Sequence, residues 1–262
     1  TPVGLTAAQT AASVRAGITR FQRDATYADR MGNPITVARI QGIKDNVKNV
    51  VERIRDIAET CLDHLLDEHF KTIKKYPQKA HFILGAASRE RPGPEYGDES
   101  MIVLKHVVDE RFGDFQKDIL NAGNASLHYA IAEAAKVIEH DPDTLCILGC
   151  VDCLHRESIL DYYEAQSRLK SSGYGRQHAL IASEAACFMI IEDQEQARRA
   201  GRPILAHIST LGLAEERQPR SSEQTGSGKG LTEACQRAME PLKEVPIFNI
   251  LGDLNGEDTR AE

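Results

Sequence analysis

Apolar positions recur along this chain in two rhythms. From residue 43 to residue 66, Ile43, Val47, Val50, Val51, Ile54, Ile57, Ala58, Cys61, Leu62, Leu65 and Leu66 follow the helical period, and the positions between them are mostly charged. The spacing predicts one long helix with a buried side and a wet side. Glu52, Arg53, Arg55, Asp56 and Glu59 are assigned to the wet side, and Pro77 ends the region. A shorter helix over Ala7–Ala16 is predicted with Thr6 as its N-cap and Gly17 as its stop.

The second rhythm is a series of short apolar runs. His81–Ser88, Asp114–Leu120, Thr144–Leu154, Ser183–Asp193, Pro203–Ala214 and Pro246–Asn255 all read as strands. Helices are predicted over residues 101–113, over a stretch whose face is Leu127, Ile131, Ala134 and Ile138, over Gln194–Gly201 and over Leu231–Glu240. Arg89–Ser100, with Pro92, Gly93, Pro94 and Gly97, reads as a loop, and so does Ser221–Gly230. Strands alternating with helices imply an α/β protein whose mostly parallel sheet is covered on both sides. No internal repeat is visible.

Composition narrows this picture only slightly. A chain of 262 residues suits one large domain or two small ones, and 41% apolar with 27% charged residues is ordinary for a globular protein. The formal net charge of -7 argues against nucleic acid or an anionic membrane as the main partner. No apolar run approaches membrane-span length, and no basic start with an apolar core marks a signal peptide. The opening Thr1-Pro2, without Met, reads as the start of a trimmed fragment. Cys61, Cys146, Cys150, Cys153, Cys187 and Cys235 are scattered and mostly inside apolar segments, which fits reduced thiols in a cytoplasmic protein. The glycosylation pattern at Asn124-Ala125-Ser126 is treated as chance.

Several stretches carry candidate chemistry. Cys146, Cys150, Cys153 and His155 have a compact spacing that would suit zinc. On a strand, however, residues four apart are separated by ~13 Å, so only a turn after Gly149 would gather them, and buried strand thiols are the default reading. Gly226-Ser227-Gly228-Lys229 is reminiscent of a phosphate loop, but the required earlier Gly is Glu223, and a solvated linker is the plainer reading. The run Asn121–Ser126 lies between a strand-like end and an amphipathic helix, where many α/β enzymes keep a nucleophile. His128, just inside that helix, reads either as a packed, satisfied histidine or as a polar group lining a pocket at the helix start.

Taken in order, the segments resemble a β-ketoacyl synthase-type condensing enzyme of the thiolase-like fold. The start TPVGLTAAQTAASVRAGIT is similar to that family's opening turn, helix and small-residue stop. NAGNASLHYAIAEAAKVI resembles its nucleophile turn and buried helix, and CILGCVDCL resembles the strand that ends in a Gly-Gly turn. SEAACFMIIEDQEQARRAGRPILAHI, GLTEACQRAM and PIFNILGDLNGEDTRAE are similar to later strands and helices, the last carrying the family's first catalytic His.

The resemblance implies a layered α-β-α-β-α architecture with mixed, mostly parallel sheets. Residues 1–202 would form the N-terminal half without its first strand, and residues 203–262 the start of a truncated C-terminal half. It also implies acyl-thioester chemistry with acyl-carrier protein or acyl-CoA, no cofactor or metal, and a homodimer or a heterodimer with an active synthase. Against the family's Ala-Cys-Ser-Ser turn, Ala122 matches and Gly123 stands where the Cys belongs. Against its His-Gly-Thr-Gly-Thr run, this chain has Leu251-Gly252 or Asp253, and no His.

Condensing activity is therefore expected to be altered or lost. The alternatives are a non-catalytic partner subunit and an acyl or acyl-carrier-protein binding module. Asn121, Gly123, Asn124, Ser126 and His128 are the pocket candidates at the turn, and Asp253 and Asn255 those at the later strand. Cys153 is the nearest substitute thiol, and Gly149, Asp152 and Glu184 read as a fold-maintaining set. A Ser126–His128 pair is geometrically poor, because residues two apart on a helix do not face each other.

Overall fold

The computed structural model describes residues 1–43, 50–75, 80–88, 94–113, 115–216, 228–247, 249–252, 255 and 257. Its elements in chain order are α1 (Ala7–Arg15), β1 (Gln22–Ala28), β2 (Pro34–Ala38), α2 (Val50–Lys75), β3 (Ala80–Gly85), α3 (Pro94–Phe112) and β4 (Gln116–Leu120). A 3-10 turn (Gly123–Ala125) then leads into α4 (Ser126–His140). After it come β5 (Leu145–Cys153), α5 (Glu157–Ala165), β6 (Ala182–Ile191), α6 (Gln194–Arg199) and α7 (Lys229–Met239).

The six strands form one mixed sheet in the order β1-β2-β6-β5-β3-β4. β3 pairs in parallel with both β4 and β5, and β2 in parallel with β6, whereas β1–β2 and β5–β6 are antiparallel. Strand β3 is buried along its whole length because it is central and covered on both faces. On one face α4 lays Ala130 and Ala134 over Ile83, Cys146 and Leu148. On the other, α2 and α3 cover Phe82, Leu84, Ile147 and Val151 with Ile54, Ile57, Ala58, Leu62, Leu104 and Val107. This is one covered sheet of the layered fold. No second sheet forms among the described residues.

The helical period of α2 appears from Val50 onward, whereas Ile43 lies in a bend before the helix and Val47 and Pro77 lie outside the described residues. Its wet side needs one correction. Arg53 is only 4% exposed and lies inside, paired with Glu184, while Arg55 bonds Glu59 and Glu110 on the outside as expected.

The predicted loop Arg89–Ser100 also differs, because α3 already begins at Pro94. Proline is tolerated in the first turn of a helix, where its missing N–H has no partner anyway. The hairpin β1–β2 and helix α5 have no counterpart in the sequence reading. The burial pattern of β1 does not alternate, and β2 is only five residues long.

The expected strand Pro203–Ala214 is not a strand, and neither are the described residues of the expected strand Pro246–Asn255. Residues 203–216 and the described part of 246–252 are irregular, with Leu205 90%, Ile250 88% and Leu251 98% exposed. Their apolar character suits a sheet, but a strand exists only through its neighbour, and the described chain pairs none with them. Gly228 caps α7 in a left-handed conformation, and Lys229 is the first residue of that helix; the rest of the loop expected over 221–230 lies outside the described residues apart from Gly230.

Candidate functional site: the turn between β4 and α4

The parallel strands β3 and β4 deliver their C-terminal ends side by side, with Gly85 in register with Leu120. The chain leaves β4, passes Asn121 and Ala122, makes the 3-10 turn and enters α4. Gly123 sits in that turn at φ +58°. An added Cβ there would lie 3.4 Å from Cβ and 3.6 Å from N of Ser88. Space therefore exists for a side chain, but L-residues rarely take this backbone conformation. A strained strand-to-helix turn is the known support for an exposed nucleophile. Here the turn is present and the side chain is a hydrogen.

Ser126 fixes the turn from beneath. Its residue is 2% exposed. Its Oγ accepts the Ala122 N–H at 3.0 Å and has the carbonyls of Ala86 at 2.9 Å and Leu120 at 3.1 Å to donate to. Those partners occupy the hydroxyl, so Ser126 serves as the clamp between β3, β4 and α4. Asn121 donates Nδ2 to the Ala87 carbonyl at 3.4 Å and ties the same strand ends together. Asn124 and His128 are exposed, so the reading of His128 as a packed histidine does not hold.

The substitute thiol is misplaced. Cys153 is fully buried on the α2 side of the sheet, away from the turn. Its Sγ donates to Glu184 Oε2 at 3.4 Å. Burial, and then the Glu184 charge, push that thiol far above the usual range, so it stays protonated. Cys150 is the thiol that lies under the turn. A Cβ added to Gly85 would meet Cys150 Sγ at 2.4 Å and Ser126 Cβ at 2.7 Å, so both side chains crowd the recess that Gly85 leaves open. Burial pushes the Cys150 thiol up to about 11. In the sequence it belonged only to the zinc pattern. Ser88, the residue nearest the empty Gly123 position, was visible there only as the small end of an apolar run.

The zinc spacing does not become a site. Cys146 packs on the α4 face, with Sγ 4.0 Å from the Ala134 carbonyl, and Cys153 packs on the opposite face. Among the described residues no three His, Cys, Asp or Glu side chains come together to hold a metal ion. Of the later candidates, Asp253 lies outside the described residues. Asn255 bonds Glu257 at 2.8 Å, and Glu257 is held by Arg168 at 2.8 Å. A cavity of about 420 Å³ lies elsewhere, between Thr1–Leu5, α1, Arg20 and Gln41.

In the set read as fold-maintaining, Asp152 Oδ1 accepts the Cys153 N–H at 2.9 Å. Glu184 accepts both Arg53 Nε at 2.9 Å and the Ile40 N–H at 2.7 Å. Burial alone would raise its carboxyl, but Arg53 and that N–H outweigh it and hold the group below its ordinary value. Gly149 is required because a Cβ would stand 2.0 Å from the Phe188 ring.

By sequence, no family model and no curated protein matches this chain. By structure it is similar to solved condensing enzymes. A β-ketoacyl synthase from Burkholderia phymatum STM815 superposes with a TM-score of 0.71 at 16% identity, covering 100% of this chain and 74% of that one. A type II PKS acyl-carrier protein in complex with its ketosynthase bound to the hexaketide gives 0.72 at 14% identity, covering 99% and 72%. The ketosynthase from module 6 of the bacillaene synthase from Bacillus subtilis 168 gives 0.63 at 11%, covering 92% and 46%. No described helix is long and apolar enough to cross a membrane. At these identities the likeness is one of architecture, and the chain has the thiolase-like fold of the β-ketoacyl synthases.

Proposed function

We propose that this chain is a β-ketoacyl synthase-like protein of acyl-thioester metabolism that binds an acyl group at the β4–α4 turn without carrying it covalently at Gly123. One observation carries this reading. The turn keeps its left-handed backbone and its Ser126 clamp, while the position that would hold a nucleophile has no side chain. The acyl donor is a carrier protein or CoA. A solved structure of the same fold is a ketosynthase in complex with its acyl-carrier protein, which supports the carrier. Six free thiols fit a cytoplasmic setting.

The same empty position favours a second reading, a non-catalytic subunit that dimerises with an active synthase and shapes its pocket. The exposed apolar segments after residue 203 fit the start of a second half whose sheet is completed elsewhere.

Intact-protein mass spectrometry after incubation with acyl-CoA and with acyl-carrier protein separates these ideas. The expected result is saturable binding of the acyl carrier with no mass increment. An acyl adduct on any residue from 121 to 128 overturns the non-covalent reading. Absence of binding, by the chain alone and mixed with an active synthase, overturns both.

A further inference from the structure

Strands β5 and β6 bring two of the six thiols face to face. Cys150 stands directly opposite Cys187 in the antiparallel register, so both side chains leave the same face of the sheet. It is the face on which Leu148 and Met189 pack with α4. The Leu154 N–H donates to the Ser183 carbonyl, four residues along each strand in the same register. The alternation of the ladder therefore makes Cys150–Cys187 a hydrogen-bonded pair, with Cα atoms roughly 5.5 Å apart. Disulfide-linked Cα atoms lie ~4.4–6.8 Å apart. Cys187 is exposed, and Cys150 is half-buried with its sulfur in the Gly85 recess. Rotation of the Cys150 side chain from the Gly85 side to the β6 side would bring the two sulfurs together.

We propose that Cys150 and Cys187 form a dithiol pair that closes to an intramolecular disulfide by exchange with a low-molecular-weight disulfide, and that closure withdraws the Cys150 sulfur from beneath the β4–α4 turn. The exposed Cys187 reacts first. Its thiolate attacks one sulfur of the small disulfide, forming a mixed disulfide and expelling one small thiolate. The Cys150 thiolate then attacks the Cys187 sulfur, forming the protein S–S bond and expelling the second. The protons of the two protein thiols pass through solvent to the two departing thiolates. The protein loses two electrons and the small disulfide gains them. Burial raises the Cys150 thiol above its ordinary value, so the closing step accelerates as the pH rises. The recess matters because Ser126, packed in it beside Cys150, holds the Ala122 amide of the turn.

The test incubates the full chain with oxidised glutathione at mildly alkaline pH, traps remaining thiols by alkylation, and maps peptides by mass spectrometry. The expected product is one peptide pair joining Cys150 to Cys187, with two of the six thiols lost and both restored by dithiothreitol. Cys61→Ser keeps that product. Cys150→Ser stops at a glutathione adduct on Cys187. Hydrogen exchange of the Ala122 amide accelerates several-fold in the oxidised chain. A Cys61–Cys187 link, a persistent glutathione adduct at Cys187 in the unaltered chain, or no reaction overturns the pair. Unchanged exchange at Ala122 overturns its connection to the turn.

Discussion

Gly123 holds φ at +58° in a turn whose Ser126 clamp, strand ends and following helix are all in place. A residue with a Cβ loses roughly 1–2 kcal/mol in that backbone conformation, while the nearest atom, Ser88 Cβ, leaves it ordinary contact room at 3.4 Å. Gly123→Cys and Gly123→Ala should therefore lower the unfolding free energy by similar amounts, about 1–2 kcal/mol each by urea titration. Only Gly123→Cys should gain an acyl mass increment from acyl-CoA. A much larger loss in both variants would mean that the turn cannot admit a side chain.

The sequence located this turn through its small residues between a strand and an amphipathic helix. It could not tell which hydroxyl serves the backbone. Ser126 reads as a candidate ligand until its three backbone partners are seen, and Cys153 reads as a neighbour of the turn until the alternation of β5 sends it to the opposite face.

Among the elements, α2 states most plainly what periodicity reveals and what it conceals. The apolar spacing gives its direction and buried face. Arg53 stands next to Ile54 and reads as one more charge on the wet side, yet it is buried because Glu184 waits 131 residues away in sequence. Its guanidinium also donates to the carbonyls of Ile40 at 2.9 Å and Ile43 at 3.1 Å, so one side chain joins α2, β6 and the segment after β2. Breaking a buried pair by removing one partner strands the other charge and costs about 3–5 kcal/mol. Arg53→Met should show that loss in urea, and Arg53→Met with Glu184→Leu should recover a large part of it. If the double variant is as unstable as the single one, losing the acceptor that Glu184 offers the Ile40 N–H offsets the relief of its stranded charge. The segments after Pro203 are the converse case. Their composition is that of strands, and composition does not supply a neighbour.

Across the whole molecule, several carboxylates are held below their ordinary range on the β1–β2 side. Burial would raise Asp24, but the Arg39 guanidinium and the N–H and O–H groups of residues 26–27 bring it down to about 2. Asp29 is also brought down to about 2, first by the Ser171 hydroxyl, then by Asn33 and Met31. Glu184 is lowered by Arg53. Each binds a proton more readily in the unfolded chain, so each contribution is complete above the unfolded pKa and disappears as pH falls through the folded one. His155 adds a loss at higher pH. Burial first, and then Arg39, depress its pKa below 6.5, so the unfolded chain protonates there before the folded one. The urea midpoint should therefore decline below about pH 6.5 and drop most steeply between about pH 4 and 2. A flat profile down to pH 4, followed by no loss, would contradict these environments.

The unpaired segments also govern how copies of the chain meet. The net charge of -7 repels another copy only at separations within about the Debye length, ~8 Å at physiological salt, and is screened beyond it. Within that distance Leu205, Ile250 and Leu251 present nearly their whole side chains to whatever arrives. Dispersal of the protein in solution thus depends on how concentrated it is, and on whether a companion surface reaches those residues before another copy does.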